Sequence, residues 1–258
     1  MLEFLGEKPA TAKLNADKIL VLETAMSKPR FDRVERRDRR KSYNPMTVAD
    51  LQKLTPSIDW KNYFTKIGLT KADSLIVSQP KYMADLETIC KAYMRWTLLN
   101  RSSGRLSTTL ETANWEFYGK TLTGAIQQIP LNERALQVIN GATGEALGKL
   151  YVEKKFPAEA KVKAEKMIKN ILLAFENRIN NLPWMSAETK VNAIAKLHKS
   201  QIKIGYPDKW KDYSALTLKS PEEGGTYFEN VLNISRWRNK EDINKLYKPV
   251  DKTEWGMS

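Results

Sequence analysis

Cysteine and histidine are almost absent from this sequence. The 258 residues contain one cysteine, Cys90, and one histidine, His198. A single cysteine excludes an intrachain disulfide and any metal site built from several cysteines. A catalytic zinc commonly takes three protein ligands, often two of them histidines, and an HExxH helix cannot be written anywhere in the chain. Glycine-rich phosphate loops and a GxSxG turn are also missing. The residues alone therefore predict no catalytic, cofactor-binding or metal-binding site.

Long apolar runs are missing as well. No stretch reaches the ~18–20 residues needed to span a bilayer, so the sequence predicts no membrane segment. Residues 1–7 lack the basic region and the following apolar region that mark a signal peptide. This start has two interpretations: the protein is cytosolic, or its true N-terminus lies further upstream.

Helical periodicity dominates the chain. After Pro157, apolar residues form one stripe at helical intervals, while lysines mostly lie on the other face. Thr47, Asp59 and Ser186 are placed to cap helices, and Pro80 is placed to begin a helix running to Leu98. The residues of the apolar stripe are Val162, Met167, Ile168, Ile171, Leu172, Phe175, Ile179 and Leu182.

Alternation typical of a strand is found only at residues 201–206, where Ile202, Ile204 and Tyr206 share one side. A pair of helices is predicted at 227–237 and 242–247. The sequence thus predicts an all-α, multi-helix fold with at most one short strand or hairpin near 201–206.

Three glycines interrupt the helix that is predicted to begin near Asn132. Gly141, Gly144 and Gly148 are spaced three and four apart and lie on one face. Each costs a helix roughly 0.5–1 kcal/mol relative to alanine. Close approach of another helix would explain them. A loop at 140–144 is the alternative.

Positive charge is in excess, with 43 basic and 30 acidic residues and a net charge of +13. It is densest in residues 28–41, here called the basic segment, which carries eight basic and three acidic residues. One interpretation is a patch for anions or nucleic acid. The other is an ion-paired connection between helices, because acids are interleaved and aromatic residues are sparse. The arginines considered as anion or cavity sites are Arg33, Arg36, Arg37, Arg39 and Arg40.

The order of sequence blocks is more informative than any single motif. The blocks are RRD (36–38), YN (43–44) and MT (46–47), FYG (117–119), VING (138–141), EALGKLYV (145–152), LPWMSAETK (182–190), KIGYPD (203–208), YFENV (227–231) and KPVDKTEWGMS (248–258). This series resembles the zinc metallopeptidases of the neprilysin and endothelin-converting-enzyme type, especially their bacterial oligopeptidase members. The resemblance covers essentially the whole chain.

The resemblance implies an internal part of the N-terminal helical domain of such an enzyme. Residues 1–246 would form a helical lid, incomplete at its N-terminus, and residues 247–258 a connection toward an absent zinc-binding catalytic domain. Relatives start earlier and continue into an Asn-Ala-aromatic segment, an HExxH helix and a further glutamate ligand. Truncation would therefore explain the missing catalytic residues.

The function implied by the resemblance is gating of short peptides for a zinc metalloendopeptidase. Zinc is expected in the full-length enzyme and no cofactor in this chain, which should be inactive alone. The expected partners are the catalytic domain of the same polypeptide and peptide substrates. An extracytoplasmic location is favoured by the resemblance. The alternatives are a basic helical nucleic-acid binder and a stand-alone scaffold, although no nucleic-acid partner is expected.

Overall fold

The computed structural model describes residues 1–85 and 91–255 and confirms the predicted all-α class. Cys90 and part of the helix predicted from Pro80 to Leu98 lie outside the described residues, as do residues 256–258 of the last block. The α-helices are α1 (Pro9–Ser27), α2 (Arg39–Ser42), α3 (Val48–Leu54), α4 (Trp60–Lys66), α5 (Pro80–Asp85), α6 (Lys91–Ser102), α7 (Thr108–Trp115), α8 (Leu131–Lys155), α9 (Ala158–Asn180), α10 (Ala187–His198) and α11 (Tyr227–Lys245). A π-helix, Glu116–Leu122, continues α7.

Local capping bonds set several helix starts where the sequence predicted them. The Thr47 side chain accepts a hydrogen bond from the backbone N–H of Asp50 at the start of α3. Asp59 caps α4 and Ser186 caps α10 in the same way. Such caps satisfy backbone donors that have no partner within the helix. These three predictions are confirmed.

The predicted position of the strand was wrong. Residues 201–206 form no strand, because the chain turns sharply there: the Tyr206 N–H donates to the Ile204 carbonyl, and Gly205 has a φ of +74°. The antiparallel pair is instead β1 (Pro45–Thr47) and β2 (Ser74–Ile76).

Two compact units divide the chain. The first comprises residues 1–128 and 216–248, and the second residues 129–215 and 249–258. In the first unit, Leu2, Ala12 and Ile19 form a small buried cluster. Partly buried side chains pack against it, namely Leu5, Ala92, Tyr93 and Trp96.

Helix α11 belongs to the first unit through contacts with the end of α4. The Asn239 side-chain amide donates to the Ile67 carbonyl at 3.1 Å. Ile243 lies 3.2 Å from where a Cβ on Gly68 would stand, and Gly68 has a φ of +87°. The structure has one continuous helix, capped by Thr226, where the sequence predicted a pair of helices at 227–237 and 242–247.

In the second unit, Lys161 of α9 holds the chain after Gly205. Its Nζ donates to the Tyr206 carbonyl at 3.0 Å and to an oxygen of Asp208 at 2.7 Å. It also lies 4.3 Å from the centre of the Tyr206 ring. Phe156 meets the edge of that ring and Trp210 stacks on it. The lysine side chain is only 14% exposed, so this contact fixes the loop by both charge and packing.

The helices of the second unit leave parts of their apolar stripes exposed among the described residues. None of α8, α9 and α10 contains a buried residue. On α9, Val162, Met167 and Phe175 are each about 60% exposed. The stripe that the sequence predicted is present and only partly covered, since Ile168, Leu172, Ile179 and Leu182 are half-buried.

The exposed area of the whole chain is correspondingly large. It is 19910 Å², whereas one compact monomer of 29.6 kDa would expose roughly 11,600 Å² and two compact bodies of half that mass roughly 14,000 Å². About 6,000 Å² is thus exposed beyond what two compact units would show. The helices of the chain therefore cover one another only in part.

Replacing Lys161 by methionine tests the loop contact. We expect Lys161→Met to lower the free energy of unfolding by about 1–2 kcal/mol, because two charge-assisted hydrogen bonds are lost. The loss is no larger because one of the two partners, Asp208, is exposed, and ion pairs with exposed groups contribute little. Lys163→Met on the same helix, where the lysine is exposed, is the control and should change it by less than about 0.5 kcal/mol. Urea unfolding followed by circular dichroism measures both. Equal losses would contradict the assignment.

Candidate functional site

The basic segment is folded around its own acidic residues. One oxygen of Asp32 accepts the backbone N–H groups of Val34 and Glu35 at 2.8 and 2.7 Å. These bonds shape a single 3₁₀ turn at Glu35–Arg37. Asp38 then caps the short helix α2 by accepting the N–H of Arg40. The interleaved acids therefore determine the local conformation.

The same acids also pair with basic side chains. Lys41 Nζ lies 2.9 Å from Glu35 Oε1, and Arg40 Nε lies 3.3 Å from Asp38 Oδ1. The hydrogen bond from Lys41 holds the pKa of Glu35 below its ordinary value, and the same bond raises the pKa of Lys41. The backbone N–H of Arg40 likewise lowers the pKa of Asp38. Both carboxylates thus stay charged at neutral pH.

The five candidate arginines divide into two groups. Arg36 donates to the Phe31 carbonyl and Arg40 pairs with Asp38. Arg33, Arg37 and Arg39 are exposed and have no side-chain partner among residues 1–85 and 91–255. These three are the cations that remain available to an anionic ligand.

A groove in the first unit is a feature that sequence reasoning missed. It has a volume of about 750 Å³ and is mostly apolar. We call it the α1 groove, since one wall is a face of α1 and the other comes from α6, α7 and the π-helix. The apolar residues lining it are Met1, Leu2, Ala12, Ala16, Ile19, Leu20, Trp96, Ala113, Phe117 and Leu122.

A small polar network stands at the far wall of the α1 groove. The Asn100 side-chain amide donates to the Tyr118 hydroxyl at 2.7 Å, and Asn114 donates to Asn100 Oδ1 at 3.1 Å. A Cβ on Gly119 would lie 2.7 Å from the Trp115 ring, so the FYG block needs glycine at that position. The wider π turn at Glu116–Leu122 is a feature that helical periodicity does not predict.

The three glycines on α8 have different surroundings. A Cβ on Gly141 would meet nothing within 4 Å, one on Gly144 would meet only Asn140 of the same helix, and one on Gly148 would touch the Trp210 ring at 3.7 Å. The backbone is non-helical at Thr143. Close packing of another helix on this face stays a prediction.

The described residues do not fit a zinc site. His198 lies on the surface, with Nε2 3.1 Å from a carboxylate oxygen of Glu176. In the part of the chain that the structure describes, no three His, Cys, Asp or Glu side chains come together as a metal would require. Within the described ranges, the surroundings of His198 thus offer a zinc ion one imidazole and one neighbouring carboxylate.

Membrane association through a spanning helix has no support in the described ranges. No helix of residues 1–85 or 91–255 combines the length and apolar character that crossing a bilayer needs.

Comparison with known proteins gives one consistent family. The family model Peptidase_M13_N, described as peptidase family M13, matches residues 1–207. Neutral endopeptidase of Lactobacillus helveticus is 29% identical over 100% of this chain and 40% of its own length. Human neprilysin is 28% identical over 94% of this chain and 35% of its own length. Zinc metalloprotease Zmp1 of Mycobacterium tuberculosis, in its open state, is 35% identical with a TM-score of 0.84 over 95% of this chain and 39% of that one. The chain therefore spans about two fifths of the length of these relatives.

The ion pairs of the basic segment predict a specific pH response. Lys41 holds the pKa of the Glu35 carboxyl below its ordinary value of 4.5. The ion pair therefore stabilises the segment at pH values above the ordinary pKa. This stabilisation is lost as the pH falls through the lowered pKa. Lys41→Met should move the titration midpoint of the Glu35 carboxyl up toward 4.5, as measured by ¹³C NMR.

The control for this titration is Lys53→Met. Hydrogen bonds from Thr47 lower the pKa of Asp50 most, and Lys53, whose Nζ lies 3.8 Å from the Asp50 carboxylate, lowers it further. The substitution should raise the Asp50 midpoint and leave that of Glu35 unchanged. A Glu35 midpoint that does not respond to Lys41→Met would contradict the pairing.

Proposed function

Because this chain belongs to peptidase family M13, we propose that it is the helical, substrate-selecting part of a longer zinc metallopeptidase. Residues 1–246 act as the lid over the catalytic site, and residues 247–258 lead toward the catalytic domain. The lid admits short, flexible peptides and keeps folded proteins out by its bulk. It takes no part in breaking the peptide bond.

The observation that carries this proposal is the large accessible surface of the chain, which includes exposed apolar side chains such as Val162, Met167 and Phe175. The chain exposes 19910 Å², roughly 6,000 Å² more than two compact bodies of half its mass. A lid domain must bury such surface against the rest of its enzyme. Since the chain matches only 35–40% of the length of neprilysin and neutral endopeptidase, those relatives have ample further chain to cover it.

Zinc and its ligands come from the rest of the enzyme in this proposal. The metal, when bound there, polarises the peptide carbonyl and activates water. The residues of this chain supply enclosure and charge. Arg33, Arg37 and Arg39, which have no partner in the described parts of the chain, attract the carboxylates of peptides toward the cavity. This electrostatic role is the part of the proposal that mutagenesis can separate from folding.

Metal analysis with a peptide-cleavage assay tests the division of labour. The purified 258-residue chain should carry far less than one zinc per molecule and should not cleave a quenched fluorescent peptide. Human neprilysin is the positive control in both measurements. Stoichiometric zinc together with cleavage by the isolated chain would overturn the proposal.

Charge reversal tests the electrostatic role in a longer enzyme that contains this chain. Arg33→Glu, Arg37→Glu and Arg39→Glu together should raise KM for an acidic peptide several-fold at low salt, with kcat little changed, because long-range attraction becomes repulsion. The effect should shrink at high salt, where charges are screened.

The matched control reverses three exposed lysines of α9, Lys163, Lys166 and Lys169, and so changes the net charge equally. Their reversal should raise KM much less. Equal changes in KM for the two triple variants, or a KM insensitive to salt in all of them, would reject the basic segment as the source of attraction.

A further inference from the structure

One tyrosine of the first unit has a backbone conformation that usually belongs to glycine. Tyr247 is the one residue other than glycine in the described ranges with a positive φ, +65°. It follows Leu246, the C-cap of α11, whose φ and ψ are −59° and 141°. The Lys248 N–H closes the turn on the Lys245 carbonyl at 3.2 Å. These are the features of a type II turn, whose third residue is normally glycine or asparagine.

The side chain of Tyr247 supplies a physical reason for this conformation. Its hydroxyl donates a hydrogen bond of 2.7 Å to the carbonyl of Lys71, which lies in the loop between α4 and β2. The ring is packed little, because the residue is 75% exposed. The hydrogen bond is therefore the described interaction that opposes the strain of a tyrosine in the left-handed region.

This hydrogen bond extends a row of contacts between α11 and the end of α4. The Asn239 amide donates to the Ile67 carbonyl. Ile243 lies against Gly68, four residues further along the same side of the helix. Tyr247 comes after another four residues, just beyond the end of α11. The turn thus returns its side chain to the loop that the helix already contacts.

We propose that Tyr247 is a latch on the turn through which the chain leaves the first unit. With the hydroxyl on the Lys71 carbonyl, the turn is closed and the backbone of residues 246–248 has one path. Without that bond, the strain at Tyr247 opens the turn and the path can change. The net gain from one hydrogen bond and the cost of one left-handed residue are of the same order, so the closed and open turns are close in free energy.

The position of the latch gives it a role in the longer enzyme. Pro249 biases Lys248 toward an extended backbone, so the turn before it is the place where the path can change. Val250, which follows, is 87% exposed. This role rests on the proposed function, in which residues 247–258 lead from the lid toward the catalytic domain. The latch then sets how firmly the lid holds the start of that connection.

A turn that only ends α11 is the alternative explanation. In that case the hydroxyl of Tyr247 would have no influence on the turn, and glycine would suit the positive φ better than tyrosine does. The two explanations therefore differ in what they predict for phenylalanine and for glycine at this position.

Hydrogen exchange on the 258-residue chain, followed by NMR, tests the latch. The reporter is the Lys248 amide, which is bonded to the Lys245 carbonyl while the turn is closed. Tyr247→Phe removes the hydroxyl and keeps the strained backbone, so this amide should exchange about fivefold faster, as the loss of one hydrogen bond would give. Tyr247→Gly removes the bond and the strain together. Its exchange rate should lie between those of the unchanged chain and of Tyr247→Phe.

The matched control is Tyr227→Phe. Tyr227 is the first residue of the same helix, and its hydroxyl has no hydrogen-bond partner among residues 1–85 and 91–255. The substitution removes the same group and should leave exchange of the Lys248 amide unchanged. The amide of Ile243, inside α11, should exchange at one rate in every variant. If Tyr247→Phe loses helicity in circular dichroism, Tyr247→Gly still separates the two explanations, because only the latch predicts exchange faster than in the unchanged chain.

Three results would overturn the latch. They are a Lys248 amide that does not respond to Tyr247→Phe, one that exchanges no faster in Tyr247→Gly than in the unchanged chain, and one that exchanges faster in Tyr247→Gly than in Tyr247→Phe. None of these measurements uses zinc or peptide cleavage, so their failure leaves the proposed peptidase role standing. Zinc and cleavage in the isolated chain would remove that role and leave the exchange result intact.

Discussion

The structure depends on one constraint, that amphipathic helices are stable only when their apolar stripes are covered. In water most helical stability comes from such packing and little from intrinsic propensity. Here the cover is incomplete: α9 leaves Val162, Met167 and Phe175 largely exposed, and the cluster around Ile19 opens into a groove. Family membership, the match to about two fifths of longer relatives and the large exposed area all support the proposal that further protein covers these helices.

Local signals in the sequence predicted the helices well, whereas features that depend on contacts between distant residues were not predicted. Thr47, Asp59 and Ser186 cap the predicted helices because a cap is completed within three residues. The strand predicted at 201–206 failed because alternation alone provides no partner strand, and Gly205 turns the chain. The real pair is three residues long on each side, too short for alternation to reveal. The α1 groove joins segments about a hundred residues apart, which no local pattern encodes.

The charge of the chain shows why composition is a poor guide to partners. A net charge of +13 suggests an anionic partner. Yet in the basic segment, where positive charge is densest, basic side chains pair with acids of the same segment. Asp32, Glu35 and Asp38 organise the backbone of the basic segment and pair with Lys41 and Arg40. Exposed pairs of this kind add little stability. The acids instead determine the backbone conformation of the basic segment. Their ion pairs also determine which of its arginines remain available to an anionic ligand.

The discontinuous first unit has a consequence for synthesis on the ribosome. Its residues 1–128 need residues 216–248 for completion, and α11 supplies contacts such as the one from Asn239 to Ile67. At about 5–20 residues per second, the ribosome takes roughly 6–24 s to add the 120 residues between positions 128 and 248. During that interval residues 1–128 lack the contacts that α11 supplies, so the first unit is completed only late in synthesis.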